Sequence, residues 1–267
     1  MFIPSDFSSV LPLAKLLLVP LAVLLLLAAE RLWPWRAFAP GRAQGNWGLA
    51  LLNTFLLWLL RAGSLVLVAK WAETRGLGLF NICPWPGWLE GLLAFLALDC
   101  AVYWQHRALH VFAPLWRLHR VHHTDTALDA STGLRFHPLE ALLSALFKAV
   151  CVILLGASPL AAGIFAIALT VGALFSHSNL RLALRLQKLL RPWLVTPAMH
   201  RVHHSAAGQE LNHNYGFFLP WWDHLFNTYQ DTAAAGEALQ LGQPACRAAK
   251  DQELPELLAQ PFRKRAA

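Results

Sequence analysis

Five long apolar stretches constrain the fold of this chain more than any other feature of its sequence. They cover residues 11–29, 47–69, 88–105, 139–156 and 159–175. A helix needs about 20 apolar residues to cross the hydrocarbon of a bilayer, so the first three stretches qualify and the last two are slightly short. Only 14% of the residues are charged, against about 25% in soluble domains. We therefore expect an all-α, polytopic membrane protein.

The last two stretches are separated only by Ala157 and Ser158. They predict either a tight transmembrane hairpin or a shallower re-entrant pair. The first stretch is not typical of a cleavable signal, because residues 1–10 contain no Lys or Arg.

The distribution of basic residues predicts how the chain is oriented in the membrane. If the N-terminus is outside, the inside segments 30–46, 106–137 and 178–267 contain seventeen Lys and Arg, and the outside loop near 70–87 contains two. Basic residues favour the cytoplasmic side of a membrane. The topology predicted is N-terminus outside and C-terminus cytoplasmic, and the formal charge of +7 then reflects cytoplasmic loops and not a nucleic-acid partner.

We divide the chain into three parts. Residues 1–86 are predicted to form N-terminal transmembrane helices, 87–231 a catalytic domain, and 232–267 a peripheral tail that is loosely ordered. Within the second part, residues 179–194 carry basic side chains at three- and four-residue intervals, which predicts a helix lying on the membrane surface.

All twelve histidines lie between His106 and His224, and most of them fall into helical spacings. The first group is H-x3-H, and the second and third are both H-x2-H-H within an identical pentapeptide, HRVHH. Residues at i, i+3 and i+4 share one face of a helix, so each group directs its imidazoles toward one point. The eight residues are His106, His110, His119, His122, His123, His200, His203 and His204.

Neutral imidazole is the commonest protein ligand for transition metals. Eight imidazoles exceed what one ion can bind, and His177 is a further candidate, so two metal ions are the economical interpretation. By the predicted topology all of these histidines lie on the cytoplasmic side, at one depth. The cysteines are scattered without a C-x-x-C pair, which argues against a structural zinc site. Nitrogen coordination alone suits iron, zinc or copper.

Three histidines lie outside these groups. His213 and His224 are equally well explained as ordinary packing residues and as residues that support metal ligands. His137 precedes Pro138 at the start of the fourth stretch, where it either caps a helix or approaches the metals.

Taken in order, the histidine groups resemble those of the fatty acid hydroxylase / sterol desaturase superfamily of membrane oxygenases. The resemblance covers about 130 residues, and the ordered pattern is far more specific than any single group. The matching stretches are 99–110 (DCAVYWQHRALH), 118–123 (LHRVHH), 131–140 (STGLRFHPLE), 177–179 (HSN) and 200–228, which begins HRVHH and contains NHNYG and WWD.

The resemblance implies a helical membrane fold with a cytosolic, histidine-rich cap over a di-iron site. It implies O2 as oxidant, a membrane lipid as substrate and two electrons from a donor. No fused haem domain is visible in this sequence, so the donor is expected to be a separate protein. Zinc is possible in a purified form. No catalytic residue is expected beyond the metal centre itself.

The resemblance also implies which residues support the ligands. Asn212, Asn214, Tyr215, Gly216, Trp222 and Asp223 match the segment that follows the third histidine group. His213 departs from the family pattern at this point. Four acidic residues are candidates for orienting imidazoles through their second nitrogen: Asp99, Asp125, Asp129 and Asp223. Asp125 and Asp129 are better explained as ordinary helix caps or solvated loop charges.

Arg61 and Asp99 are the clearest charges inside the apolar stretches, where an ionisable side chain needs a partner. Two other functions remain open from the residues alone. A zinc-dependent membrane hydrolase would use a similar site. A metal transporter or metal-binding protein would place its ligands near the middle of the bilayer, whereas these histidines gather at one face.

Overall fold

The computed structural model describes residues 7–38, 41–60, 64–83 and 85–263, with side chains from Ala14 onward except Lys15. Arg61 lies outside the described residues.

The described part of the chain contains twelve α-helices and no strand. The helices are α1 (Phe7–Leu32), α2 (Ala43–Leu59), α3 (Leu65–Thr74), α4 (Leu79–Ile82), α5 (Gly87–Val111), α6 (Ala113–His123), α7 (Pro138–Leu155), α8 (Pro159–His177), α9 (Leu184–Leu190), α10 (Pro197–His203), α11 (Trp221–Leu225) and α12 (Leu254–Ala259). Short 3-10 turns occupy Ala130–Leu134, Glu210–Asn212, Gly236–Ala238, Ala249–Gln252 and Gln260–Phe262.

Three of the described helices, α5, α7 and α8, are long and apolar enough to cross a membrane. They correspond to the third, fourth and fifth apolar stretches, so the protein is an all-helical, integral membrane protein, as predicted. Helix α1 covers the first stretch as one helix of 26 residues.

The second stretch, predicted as one span over residues 47–69, is not one helix. Helix α2 ends at Leu59, and a separate helix α3 begins at Leu65. Ser64 is the N-cap of α3, where its side chain accepts a hydrogen bond from the backbone N–H of Leu67 at 3.3 Å. A serine hydroxyl in this position satisfies a free N–H group at a helix start, which explains why an apolar run contains a helix boundary.

Helix α8 is central to the bundle and packs against α1, α3, α5 and α10. The main core lies where α3, α5, α7 and α8 meet, and small residues such as Ala94, Ala161 and Ala162 are fully or almost fully buried there. The turn Ala130–Leu134 lies directly on α8, because a Cβ added to Gly133 would come 2.8 Å from the carbonyl oxygen of Ala173. This close approach brings the chain that follows α6 against the end of α8.

The connection between α7 and α8 is a tight hairpin. Gly156 adopts a left-handed conformation with φ of +66° and ends α7, and Ser158 caps α8. Glu90, in the first turn of α5, accepts hydrogen bonds from both the backbone N–H and the hydroxyl of Ser158 at 2.9 Å. With α7 and α8 at 18 and 19 residues, a transmembrane hairpin fits better than a re-entrant pair.

The expectation of a loosely ordered tail is wrong for the described part of the chain. Leu257 of α12 is fully buried and packs with Leu49 of α2 and Val121 of α6. The Gln260 side chain accepts a hydrogen bond from Thr124 and donates one to the carbonyl of Asp251. The C-terminal segment therefore braces the helix that carries the second histidine group.

The predicted surface helix over residues 179–194 is shorter than expected. Its helical part is α9, seven residues long, because residues before it are extended and form a bridge between Leu180 and Pro34. Leu184 and Leu189 of α9 are exposed.

Candidate metal centre

Four helix ends bring the predicted ligands together. The first pair lies near the end of α5 and His177 ends α8, while the HRVHH pentapeptides fall at the ends of α6 and α10. Two groups result, and within each one a ring nitrogen from every member lies within 4.8 Å of the others. The larger group contains His106, His110, His119, His123 and His203, and the smaller contains His122, His177, His200 and His204.

The two identical pentapeptides contribute to these groups in a reciprocal way. From α6, His119 and His123 join the five-histidine group and His122 joins the other. From α10 the assignment is reversed, because His200 and His204 join the four-histidine group and His203 joins the first. Each pentapeptide thus gives an i, i+4 pair to one group and its remaining histidine to the other. The groups touch where His123 stacks on His204, with ring centroids 4.3 Å apart.

Five of the nine imidazoles are held through Nδ1 by an acceptor oxygen. Four of the acceptors are backbone carbonyls and one is a carboxylate. The Nδ1 contacts are His106 with Tyr215 O at 2.7 Å, His119 with Glu140 Oε1 at 2.6 Å, His122 with Arg135 O at 3.2 Å, His177 with Ala173 O at 2.6 Å and His203 with His213 O at 2.8 Å. A carbonyl only accepts, so Nδ1 carries the proton. In a neutral imidazole the other nitrogen, Nε2, then presents a lone pair.

These lone pairs point at one another. In the five-histidine group the Nε2 atom of His106 lies 3.1 Å from those of His119 and His203. In the four-histidine group the Nε2 atom of His177 lies 3.0 Å from that of His122 and 2.9 Å from that of His200. Two unprotonated nitrogens cannot form a hydrogen bond with each other. Among the rings held through Nδ1, the contacts of His106 with His119 and His203, and of His177 with His122, therefore indicate a cation between them.

The charge state of the rings favours a metal ion over protons as that cation. All nine side chains except His110 are buried. Burial and the mutual repulsion of neighbouring rings hold the pKa of His122, His123, His200 and His204 well below the usual value. Burial lowers the pKa of His203 to about 3. These five rings are therefore neutral at physiological pH and available as ligands.

The residues fit two metal ions on geometry as well. Nitrogens bound at about 2.1 Å from one ion and at right angles lie roughly 3 Å apart, close to the Nε2 separations of 2.9–3.1 Å. Several further nitrogens are buried without a hydrogen-bond partner in the described part of the chain, including both ring nitrogens of His110 and His204. Buried polar atoms are rarely left unpaired in this way, which indicates that a ligand completes the site.

The segment after the third histidine group is folded around Asp223. The carboxylate accepts hydrogen bonds from the backbone N–H groups of Tyr215 and Gly216 at 2.8 Å and from the Thr228 hydroxyl at 2.7 Å. Gly216 leaves no room for a side chain, since an added Cβ would lie 2.8 Å from the Asp223 carboxylate. These bonds fix the Tyr215 carbonyl, which accepts the hydrogen bond from His106 Nδ1–H.

Asn212 and Asn214 support the same segment and touch no histidine ring among the described residues. The Asn214 side chain donates to the carbonyls of Met199 and Gln230 at 2.9 and 2.8 Å, and its backbone is left-handed with φ of +54°. The Tyr215 hydroxyl donates to Asn212 Oδ1 at 3.2 Å. The support role implied by the resemblance agrees with these contacts.

Asp99, inside α5, has the partner that its position requires. Its Oδ2 accepts hydrogen bonds from the indole N–H of Trp222 at 2.8 Å and from the backbone N–H of Leu219 at 3.2 Å. Phe218 packs edge-to-face against Phe95 of α5. The segment after the third group therefore enters the bundle beside α5, and Asp99 anchors it there.

The expectation that aspartates orient the imidazoles is wrong for the described structure. Asp99 and Asp223 have the partners described above. Asp125 and Asp129 both accept hydrogen bonds from Arg42, and Asp129 also caps the turn Ala130–Leu134. Glu140 takes this role instead, through His119. Its signal in the sequence was a single acidic residue in an apolar stretch just after His137 and Pro138.

The remaining histidines lie outside both groups. His137 is the N-cap of α7 and accepts a hydrogen bond from Leu139 N–H at 3.2 Å, which is the capping alternative. His213 contributes only its backbone carbonyl to His203, and its ring contacts the carbonyl of Gln209 at 3.1 Å. His224 stacks on Tyr229.

Sequence reasoning also missed Arg135, whose side chain is fully buried. Its guanidinium donates to the carbonyl of Val121, to Asn46 Oδ1 and to the Thr124 hydroxyl at 2.7–2.8 Å. These bonds fix the end of α6 while the Arg135 carbonyl holds His122. Only its place in the matching stretch 131–140 distinguished this arginine from the others in the sequence.

Comparison with known proteins agrees with this site. The family model for fatty acid hydroxylase matches residues 91–228, which contain all nine histidines and fall within the predicted catalytic domain 87–231. The chain is 32% identical over 149 residues to alkylglycerol monooxygenase of Danio rerio, which covers 55% of this chain and 32% of that protein. It is 30% identical over 177 residues to an ornithine lipid hydroxylase of Rhizobium tropici, covering 61% and 52%.

A Delta(7)-sterol-C5(6)-desaturase of Nicotiana tabacum is 28% identical over 153 residues, covering 54% of this chain and 52% of that protein. The chain thus spans about a third to a half of the length of these relatives. The relatives are monooxygenases, hydroxylases and desaturases, all of them oxidoreductases. No solved structure matches the chain significantly. On the family match over residues 91–228, this chain belongs to the fatty acid hydroxylase family.

Proposed function

We propose that this protein is a membrane-bound di-iron oxygenase that hydroxylates or desaturates a C–H bond of a lipid. The observation that carries the proposal is the convergence of nine imidazoles, eight of them buried, into two adjacent groups. The relatives named above support a lipid as the substrate, since their names describe sterol, ornithine-lipid and alkylglycerol chemistry. A sterol-like or fatty acyl substrate is itself apolar and would be compatible with the apolar side chains of the membrane-spanning helices.

The five-histidine and four-histidine groups would each hold one iron ion, with the nine residues as ligands. Iron is favoured over zinc because oxidation of an unactivated C–H bond requires a redox-active metal and O2, which is the chemistry that the bound irons supply. The protein's own contribution is to orient the rings through Nδ1 and to keep the ligands out of water. A zinc hydrolase would need the same nitrogens but no electron supply.

The histidines lie at the ends of α5 and α8, away from the α7–α8 hairpin, so the metals would sit at one face of the bilayer. We propose that this face is cytoplasmic, with the N-terminus outside, because the segments beside it contain most of the basic residues. Ligands at one face argue against a transporter, which binds its ion near the midplane. The electrons would come from a separate protein.

The test compares lipid extracts of cells with and without the protein by mass spectrometry. We expect a lipid that changes by about +16 or −2 mass units, the gain of one oxygen or the loss of two hydrogens. One variant from each group, His203→Ala and His122→Ala, should lose bound iron and the lipid product. His224→Ala is the matched control, because this exposed ring lies outside both groups.

Iron content of the purified protein decides the metal. Retained product in both His203→Ala and His122→Ala, with the control unchanged, would refute the ligand assignment. A purified wild-type protein that turns over a substrate with zinc and without consuming O2 would refute the oxygenase in favour of the hydrolase.

A further inference from the structure

The two histidine groups have different electrostatic surroundings. In the described part of the chain, four of the five Nδ1–H groups with an oxygen acceptor donate to neutral backbone carbonyls. The exception is His119, whose Nδ1 lies 2.6 Å from Glu140 Oε1. The five-histidine group therefore has a carboxylate in direct contact with one of its rings, and the four-histidine group does not.

The fold buries the Glu140 side chain away from water. The residue lies in the first turn of α7, after the His137 cap, and its side chain is 3% exposed. Its second oxygen, Oε2, is buried and has no hydrogen-bond partner among the described residues. An ionisable side chain inside a membrane helix is costly and needs a specific partner, and here the Nδ1–H group of His119 is that partner.

The buried charges nearest the four-histidine group bond to one another or to the backbone. Arg42 forms ion pairs with Asp125 at 2.8 Å and with Asp129, and Glu30 accepts hydrogen bonds from the backbone N–H groups of Ala130 and Asn179. The Arg135 guanidinium donates to the end of α6. Among the described residues none of these carboxylates accepts a hydrogen bond from a ring of the four-histidine group, so no carboxylate acts on that metal position through a ligand.

We infer that Glu140 makes the two metal positions unequal, so that the five-histidine position binds a divalent metal more tightly and has the lower reduction potential. A carboxylate bonded to Nδ1–H increases the basicity of Nε2 and stabilises positive charge on the metal that Nε2 binds. Glu140 does not touch the metal and is a positioning residue that acts through His119. This inference rests on the proposed function, namely that the nine histidines hold two ions.

The test is a metal titration of the full chain in detergent, after removal of bound metal with a chelator. Co²⁺ is the probe, because its absorption spectrum reports each binding step. Glu140→Gln is the variant of choice, since the glutamine oxygen still accepts the His119 proton and only the charge is lost. Glu90→Gln is the matched control: it removes a carboxylate from α5 that binds Ser158, at the end remote from the histidines.

We expect wild type and Glu90→Gln to bind two equivalents with unequal affinities. Glu140→Gln should weaken the tighter equivalent by about 10- to 100-fold, the usual effect of losing a partner of a metal ligand, and leave the other unchanged. The unchanged equivalent also shows that the variant is folded. In the iron-loaded protein, the lower of the two reduction potentials should rise in Glu140→Gln while the higher one stays.

Equal affinities of both positions in wild type, or a Glu140→Gln variant that matches wild type, would overturn the inference. Equal weakening of both positions would also overturn it, since that result assigns Glu140 a purely structural role. In all of these outcomes two ions still bind and the proposed function stands. A wild-type protein that binds no metal at all would instead refute the proposed function.

Discussion

The buried histidines predict a steep loss of stability in acid for the metal-free protein. The pKa of His203 falls from about 6.5 to about 3 on burial. The unfolded chain therefore binds a proton at this residue at a higher pH than the folded protein does. Folding stability is then complete above pH 6.5 and is lost as the pH falls toward the folded pKa. At pH 5.0 the loss for one such residue is about 2 kcal/mol relative to pH 7.

Four other ligands outside the membrane helices have a pKa lowered in the same direction: His122, His123, His200 and His204. These residues add to the loss that His203 causes, so the metal-free protein should lose stability steeply as the pH falls from 6.5 to 5.

The assay is thermal unfolding of the metal-free protein in detergent, followed by circular dichroism from pH 7.5 to pH 5.0. The melting temperature should fall steeply, and the fall should be smaller in His203→Phe, which has one titrating ring fewer. His224→Ala should follow the wild-type curve, because this ring is exposed in the folded protein. A melting temperature that is constant or rises toward pH 5 would refute the reasoning.

Three further predictions concern the frame around the metals. Gly216→Ala should weaken metal retention by the five-histidine group, because the new Cβ would lie 2.8 Å from the Asp223 carboxylate and displace the Tyr215 carbonyl that holds His106; metal content after dialysis measures this. Leu257→Ala should cost about 2–5 kcal/mol of unfolding free energy, since the side chain is fully buried against α2 and α6; denaturant unfolding measures it. Trp222→Phe should cost about 1–3 kcal/mol and leave metal content unchanged, because it removes a hydrogen bond to the buried Asp99 and touches no ligand.

Controls for these variants come from similar residues at exposed positions. Gly208→Ala has open space around the new Cβ and should retain metal. Leu225→Ala and Trp193→Phe alter residues that are 64% and 60% exposed and should change stability little. Full metal retention in Gly216→Ala, or wild-type stability in Leu257→Ala or Trp222→Phe, would contradict the corresponding contacts.

The spacing of the histidines predicted correctly that the three groups come together, because residues at i, i+3 and i+4 lie near one face of a helix. The expectation that each group directs its imidazoles toward one point is wrong for both pentapeptides, whose histidines divide between the five-histidine and four-histidine groups. The spacing was not enough to predict how they divide. His122 and His203 each leave the group of their sequence neighbours, and that division depends on how α6 and α10 approach each other. The acceptors for Nδ1 were equally hidden, since four of them are backbone carbonyls and carry no signal in residue type.

The apolar stretches predicted α5, α7 and α8 well, because a run of about 20 apolar residues favours a helix, which satisfies its own backbone hydrogen bonds in lipid. The prediction of one span over the second stretch was wrong, because mean hydropathy does not register a helix-capping serine such as Ser64. The prediction of a loosely ordered tail was wrong for a different reason. The composition of the tail is polar, but a few apolar residues such as Leu257 pack in a site between α2 and α6 that only the folded bundle provides.

The brace between the C-terminal segment and α6 has a consequence for the order of assembly. Thr124 and Gln260 are 136 residues apart in sequence, and contacts between such distant segments form late in folding because closing the intervening chain is entropically costly. The spanning helices can therefore insert and pack before α6 is locked in place. Helix α6, and with it the second histidine group, therefore reaches its final position only when the C-terminal segment docks.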